Sequence, residues 1–275
     1  MLHQHRREVV ELAHRALAWC GETVDVRMPP QDAELVARPD LAVDEHTFGK
    51  GLDACLSLGG DGTMLRTTSL VAEYGVPILG VNVGHLGYLA EIEPRLMEQA
   101  LDQWFAAELT VEHRMMIEVS TSDGREVLGR ALNEIVVDRS ENGRAVEVLV
   151  TINNEDFITH LTDALIVATP TGSTAYSLSA GGPILEPDLR ALLLTPVAAH
   201  TVFNRPMVLG PDTEIRLTIE GHRPGVVSLD GQPVRDLQPG ESVTCGVSDT
   251  EVRLLISGNR DFHSVLKEKF GLGGR

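Results

Sequence analysis

The sequence predicts an α/β domain followed by an all-β domain: an N-terminal doubly wound parallel sheet with its first strand absent, then a C-terminal β-sandwich-like domain. Three observations predict it. An apolar run at 54–58 opens through Gly59-Gly60-Asp61-Gly62-Thr63 into a helical pattern, and a second apolar run follows at 76–81. That is a βαβ unit, which implies parallel strands with ligands at their carboxyl ends. From about residue 109 the apolar period changes from helical to two, as in half-buried strands. Asp261 to Phe270 then returns to a helical pattern.

Each element follows in order. Residues 6–20 place Val9, Ala13, Ala16, Leu17 and Cys20 on one helical face, ended by Gly21. Residues 23–28 alternate as a strand and stop at Pro29-Pro30, and 31–50 read as a polar loop. A helix is expected over 63–73, and Pro94 opens another with Leu96, Ala100, Leu101 and Trp104 on its apolar side. A doubly wound domain usually begins with a strand, whereas this chain starts beside a helix; either the first strand is missing or the sequence starts too late to include it. Strands are expected at 110–120, 126–138, 146–152, 156–168, 213–220, 225–229, 241–247 and 250–256. Asp123-Gly124, Asn153-Asn154, Asp230-Gly231 and Pro239-Gly240 supply turns between them. Met115-Met116 reads as core or subunit interface. The expected domains are 1–98, completed by 258–275, and 99–257.

Composition removes several function classes. A net charge of −17 argues against a nucleic-acid surface, which needs a basic stripe. No apolar run approaches the ~20 residues that cross a bilayer, and residues 1–11 are too polar for a secretory signal. Cys20, Cys55 and Cys245 are far apart in apolar surroundings, which suggests reduced thiols in a cytoplasmic protein rather than a disulfide framework or zinc site. The ten histidines show no metal-ligand spacing, and no metal-ligating residue is assigned; His85 and His200 read as packed histidines.

The chemistry centres on the glycine turn. Glycines permit a positive φ and let backbone approach a phosphate, the following helix favours anionic oxygen, and Asp61 can accept a hydroxyl proton. Together they point to phosphoryl transfer to an alcohol. Arg66, one turn into the helix, is either a phosphate contact or a solvated helix residue. No Gly-x-x-x-x-Gly-Lys-Ser/Thr loop is present. The turn alone is shared by phosphofructokinase-type, diacylglycerol, sphingosine and NAD kinases.

The rest of the chain separates these families. Residues 169–183, Thr-Pro-Thr-Gly-Ser-Thr-Ala-Tyr-Ser-Leu-Ser-Ala-Gly-Gly-Pro, are long and specific. With the glycine turn, Asn82-Val83-Gly84-His85-Leu86-Gly87-Tyr88-Leu89, Asn133-Glu134, Asp163, Pro196 to His200, Arg205-Pro206 and Asp230-Gly231-Gln232, they resemble the NAD kinase family over about residues 50 to 270. Tyr88 replaces the family's usual phenylalanine.

The resemblance implies a phosphotransferase that uses ATP to phosphorylate the adenosine 2′-hydroxyl of NAD, giving NADP, with Mg²⁺ held mainly by nucleotide phosphates. Asp61 is then the base or orienting group for that hydroxyl, and Gly62 lets the dinucleotide approach. Asn133 and Glu134 offer partners to ribose hydroxyls and the adenine edge; without the resemblance both also fit a solvated strand end. Asp163 binds the carboxamide or adenine amine, or is a cap. Thr174, Ala175, Tyr176 and Ser179 are dinucleotide contacts. Arg144 reaches a dinucleotide from a neighbouring subunit or is a surface arginine, and Ala198 and Gln232 complete the set. A homodimer or homotetramer built through the all-β domain is implied. Two other readings stand beside it: a lipid kinase with the same turn, for which this acidic chain shows no membrane-facing basic surface, and a non-catalytic NAD-binding sensor.

Overall fold

Helix α1 (Arg7–Cys20) forms because Val9, Leu12, Ala13 and Ala16 recur at helical spacing and bury one stripe. The computed structural model describes residues 1–4, 7–84, 86–140, 144–258 and 261–272. The chain divides into two units, Met1–His113 with Val252–Arg275, and Arg114–Glu251. The boundaries expected from sequence lie at 98/99 and 257/258.

In the first unit, α2 (Pro30–Leu35) occupies part of the segment expected to be a loop, with Pro30 in its first turn, where a missing N–H costs nothing. Strand β1 (Cys55–Gly59) leads into α3 (Asp61–Val71), and β2 (Ile78–Asn82) runs parallel to β1 with Cys55 opposite Ile78 and Gly59 opposite Asn82. Helix α4 (Met97–Phe105) follows. Leu58, Leu79 and Val81 share one core with α1 and α4. On the opposite face Ser57 meets Thr67 of α3 at 3.0 Å, and a Cβ at Gly80 would strike Met64. The sheet thus has helices on both faces. Its first strand, expected to be absent, is a short stub: Leu2 bridges Leu58 in parallel, and Leu58 N–H donates to Met1 O at 2.8 Å. Residues 23–28, expected to be a strand, carry only a bridge from Met28 to Ala42.

The second unit is built from β3 (Thr110–Thr121, which begins in the first unit), β4 (Val127–Ala131), β5 (Glu134–Arg139), β6 (Val146–Ile152), β7 (Glu155–Thr162) and β8 (Ala164–Ala168). The short helix α5 (Tyr176–Ser179) precedes β9 (Leu192–Val197), β10 (Met207–Leu209), β11 (Ile215–Glu220), β12 (Gly225–Leu229), β13 (Gln232–Leu237) and β14 (Ser242–Ile256). One sheet is antiparallel in the order β10-β9-β8-β5-β12-β13. Strands β7, β6, β11 and β14 make a second layer, extended by β3 and β4. The core between the layers joins Ile135, Leu165, Val167 and Val227 to Val148, Val150, Leu217 and Val243.

Three differences from expectation follow. The runs 126–138 and 156–168 each break in two, at Leu132-Asn133 and at Asp163. The runs 241–247 and 250–256 are one strand. Strand β9 is buried from Leu192 to Pro196, so it lacks alternation there, and Pro196 pairs with Leu165 of β8 but lies beyond the residues that β10 pairs. The last strand returns to the first unit, where Leu254 and Leu255 pair with β2, and α6 (Phe262–Lys269) begins at the N-cap Asp261.

Asp32, fully buried, ties the first unit together. It accepts from Leu2 N–H at 2.9 Å, Gln4 Nε2 at 2.6 Å and Arg66 Nη1 at 3.0 Å. Asp32→Ala strands these donors, so a loss of about 3–5 kcal/mol is expected in urea unfolding, with Asp32→Asn losing less; equal stability of Asp32→Ala and wild type would refute that role.

Candidate functional site

Asp61 is the first residue of α3, one residue beyond the carboxyl end of β1. Its Oδ2 accepts from Tyr88 N–H at 2.9 Å and its Oδ1 from Leu89 N–H at 3.0 Å. Gly87 makes this grip possible, since a Cβ there would stand 2.1 Å from Asp61 Oδ1. Of the turn glycines, only Gly59 is demanded by packing, against Thr63; a Cβ on Gly60 or Gly62 meets nothing within 4 Å. None of the three has a positive φ, contrary to expectation. The open space at these two glycines lies at the N-terminus of α3, a setting that favours anionic oxygen.

Around Asp61, Asn82 at the carboxyl end of β2 carries an Oδ1 that is buried without a partner among the described residues. The Tyr88 ring lies 6.4 Å from Phe262 of α6 and under Lys269 Nζ at 4.2 Å. Burial first, and then the charge of Asp61, push the Tyr88 hydroxyl pKa up. Arg66 is held by Asp32 and Glu45, each at 3.0 Å, and is therefore engaged in structural pairs.

In the second unit a different carboxylate organises the candidates. Asp230 and Gly231 form the two-residue turn between β12 and β13, both with positive φ. Asp230 Oδ1 accepts from Asn133 N–H at 2.8 Å and Glu134 N–H at 3.1 Å, while Oδ2 accepts from Leu132 N–H at 2.8 Å. Burial raises the Asp230 pKa against these three donors. Glu134 is buried beside it, with Oε2 lacking a partner among the described residues. Burial first, then the Asp230 charge, raise its pKa to about 7, against a backbone N–H from Tyr176. A buried unsatisfied carboxyl oxygen is costly and marks a place where a ligand hydroxyl or amine would be bonded.

The 169–183 loop is sorted by burial. Thr169, Ser173 and Ser177 are fully buried and structural: Thr169 Oγ1 bonds Leu132 O, Ser173 Oγ accepts from Leu185 N–H at 3.0 Å, and Ser177 meets Thr195 at 2.8 Å. Gly172 fits because a Cβ would strike the Asn133 backbone. Thr174 and Ala175 are half-buried, whereas Tyr176 and Ser179 are exposed, so the predicted contacts lie on the loop's open side. Asp163 pairs with Arg139 at 2.7 Å. Ala198 is exposed with φ +49°, a strained conformation for a non-glycine residue, and Gln232 is exposed at the start of β13. Arg144 is exposed. His200, expected to be packed, is exposed, with its backbone N–H bonded to Leu161 O at 2.8 Å. His85 lies outside the described residues.

Sequence reasoning did not assign Gly87, Asn82, Arg139 or Asp230. The glycine and asparagine stand in quoted motifs, so spacing marked the segment but not the contact. Asp230 also stands in a quoted motif, but its own role reads from sequence as that of a turn residue. Among the described residues no three His, Cys, Asp or Glu side chains group as a metal site, and no helix is long and apolar enough to cross a membrane.

Comparison with known proteins gives a consistent family. The ATP-NAD kinase N-terminal domain matches residues 8–109, and the ATP-NAD kinase C-terminal domain matches 132–257. The chain is 40% identical to an NAD kinase of Heliobacterium modesticaldum over 99% of its length and 98% of that protein. It is 41% identical to an NAD kinase of Moorella thermoacetica over 85% of its length and 75% of that protein. An NAD kinase from Archaeoglobus fulgidus, solved in complex with ATP, superposes with a TM-score of 0.68 at 28% identity, covering 88% of this chain and 92% of that one. Yeast NADH kinase, solved with NADH, shares the fold with a TM-score of 0.89 at 24% identity, covering 100% and 87%.

Gly87→Ala would push the Asp61 carboxylate off its two amides; displacement on the order of 1 Å costs about 10²-fold in kcat, with circular dichroism unchanged. Glu134 holds its proton in the folded chain up to about 7, but in the unfolded chain only to its ordinary 4.5. Stability therefore falls as pH rises through that window, and Glu134→Gln should flatten the slope of unfolding free energy against pH there. An unaltered slope would remove Glu134 as its source.

Proposed function

The chain belongs to the ATP-NAD kinase family, and we propose that it transfers the γ-phosphoryl group of ATP to the 2′-hydroxyl of the adenosine ribose of NAD, giving NADP and ADP. One observation carries the reading of the site: Asp61, at a helix N-terminus, has both oxygens fixed by backbone amides. A carboxylate so held keeps its remaining lone pairs in fixed directions. It accepts the acceptor hydroxyl's hydrogen and aligns its oxygen for in-line attack. Positioning outweighs basicity, since a carboxylate is a weak base at neutral pH and phosphoryl transfer needs little proton abstraction before bond making.

In the second unit Asn133 and Glu134 accept or donate to ribose and adenine groups, the Tyr176 ring offers a stacking face, and Thr174 and Ser179 offer hydroxyls. Ala175, Ala198 and Gln232 line the dinucleotide, Asp163 meets its amide or amine donors, and Arg144 adds a contact from a neighbouring subunit. Gly62 leaves room for the ligand, while Arg66 supports the fold through Asp32. Magnesium fits this donor set as an ion held mainly by nucleotide oxygens, with Asp61 the carboxylate suited to it, because the described residues supply no cage of their own. When bound, the ion neutralises charge on the transferring phosphoryl group.

Exposed Phe157 and Phe203, in edge-to-face contact at 5.8 Å, support self-association through the second unit as a homodimer or homotetramer. The three free thiols fit a cytoplasmic setting.

The test is a coupled assay with NAD, ATP and Mg²⁺, read by an NADP-specific dehydrogenase. Asp61→Asn should lower kcat by about 10²–10⁴-fold while NAD affinity changes little. Unchanged turnover would sink the role of Asp61, and NAD binding without NADP formation by wild type would favour the sensor.

A further inference from the structure

At Tyr88 this chain carries a hydroxyl where the family usually has phenylalanine, and the first unit alone builds its surroundings. The Tyr88 backbone N–H holds Asp61 Oδ2 at 2.9 Å, so the ring is anchored beside that carboxylate. The residue is half-buried, and its hydroxyl has no hydrogen-bond partner among the described residues. Burial and the charge of Asp61 hold the hydroxyl in its protonated form, ready to donate. Across the ring lies Lys269 Nζ, 4.2 Å from the centroid, at the C-terminal end of α6. Lys269 is exposed and enters no ion pair among the described residues, whereas Arg66 is held by two carboxylates. An ammonium has three N–H donors, and a ring face does not use them all.

An acceptor hydroxyl bound to Asp61 brings the transferring phosphorus to about 3–3.5 Å from its oxygen. The charge spread over that phosphoryl group and the chain behind it then lies close to an aspartate, and needs both a counter-charge and directional donors. We propose that the Tyr88 hydroxyl and the Lys269 ammonium together bind the phosphate chain of the phosphoryl donor. Lys269 supplies the counter-charge and Tyr88 the directed hydrogen bond, which makes α6 a part of the donor site. The inference rests on the phosphoryl-transfer reading of Asp61. A purely structural cation–π contact would need only the ring, and phenylalanine would then serve equally well.

The probe is inorganic tripolyphosphate with Mg²⁺, which has the phosphate chain and no nucleoside. It should bind the wild-type protein in calorimetric titration without NAD, and inhibit NADP formation competitively with ATP. Tyr88→Phe keeps the ring under Lys269, yet should raise both the KM for ATP and the tripolyphosphate Kd about tenfold. Lys269→Met should do the same and Lys269→Arg should restore most of the affinity, while the KM for NAD stays put in all three variants. Unaltered ATP and tripolyphosphate values in Tyr88→Phe or in Lys269→Met overturn the proposal. So does a wild type that binds no tripolyphosphate, or an equal rise in the KM for NAD, since the variants would then act through Asp61. The titration needs no turnover: tripolyphosphate binding that depends on both groups, without any NADP formed, would fault the phosphoryl-transfer reading and leave this site standing.

Discussion

Three successive backbone N–H groups, from Leu132, Asn133 and Glu134, converge on the carboxylate of Asp230. Satisfying one half-buried carboxylate in this way requires the chain to leave the β4 ladder at Leu132 and enter the six-stranded sheet at Glu134. The bond back from Asp230 N–H to Glu134 O at 3.0 Å closes the ring. Asn133 O is then placed to accept from Thr169 N–H at 2.9 Å, and Gly172 packs on the Asn133 backbone. One turn carboxylate thus sets the break between two strands, the position of Asn133 and Glu134, and the seat of the 169–183 loop.

The first unit uses the same chemistry at Asp61, the proposed hydroxyl-orienting group. Asp61 is held by two main-chain amides, as Asp230 is held by three. Backbone donors have no rotamers to freeze and do not titrate, so they fix a carboxylate more narrowly than a lysine or arginine does. Gly87 is what lets the amides come close. Such an arrangement suits a reaction in which alignment supplies most of the acceleration.

The βαβ unit was legible because β1, α3 and β2 carry strong apolar runs punctuated by glycine, and the switch to period two announced the second unit. The site motifs were legible as segments. What sequence could not reveal was which hydroxyls of 169–183 hold the loop and which face outward, because Ser173, Ser177 and Ser179 are chemically alike and differ only in burial. Arg66 was read through its place one turn after Asp61. Its partners, Asp32 and Glu45, come from a segment whose polarity concealed the short helix at Pro30–Leu35. Residues 23–28 had the right alternation but no ladder to join: strand propensity is realised only with a partner.

An acidic chain that handles polyphosphates must recognise them at short range. At a net charge of −17 the long-range field repels anionic ligands. Arg66 and Arg139 are committed to carboxylates, so neither is a ready counter-charge. The proposed contacts that remain are local: Lys269 over the Tyr88 ring, the open space at Gly60 and Gly62, the neutral hydroxyls of Thr174 and Ser179, Arg144 from a neighbouring subunit, and a Glu134 whose pKa of about 7 lowers its charge. Each acts within hydrogen-bond reach and is directional. A site of this kind discriminates by shape and donor placement rather than by bulk attraction, which suits a protein that must distinguish one ribose hydroxyl from its neighbour.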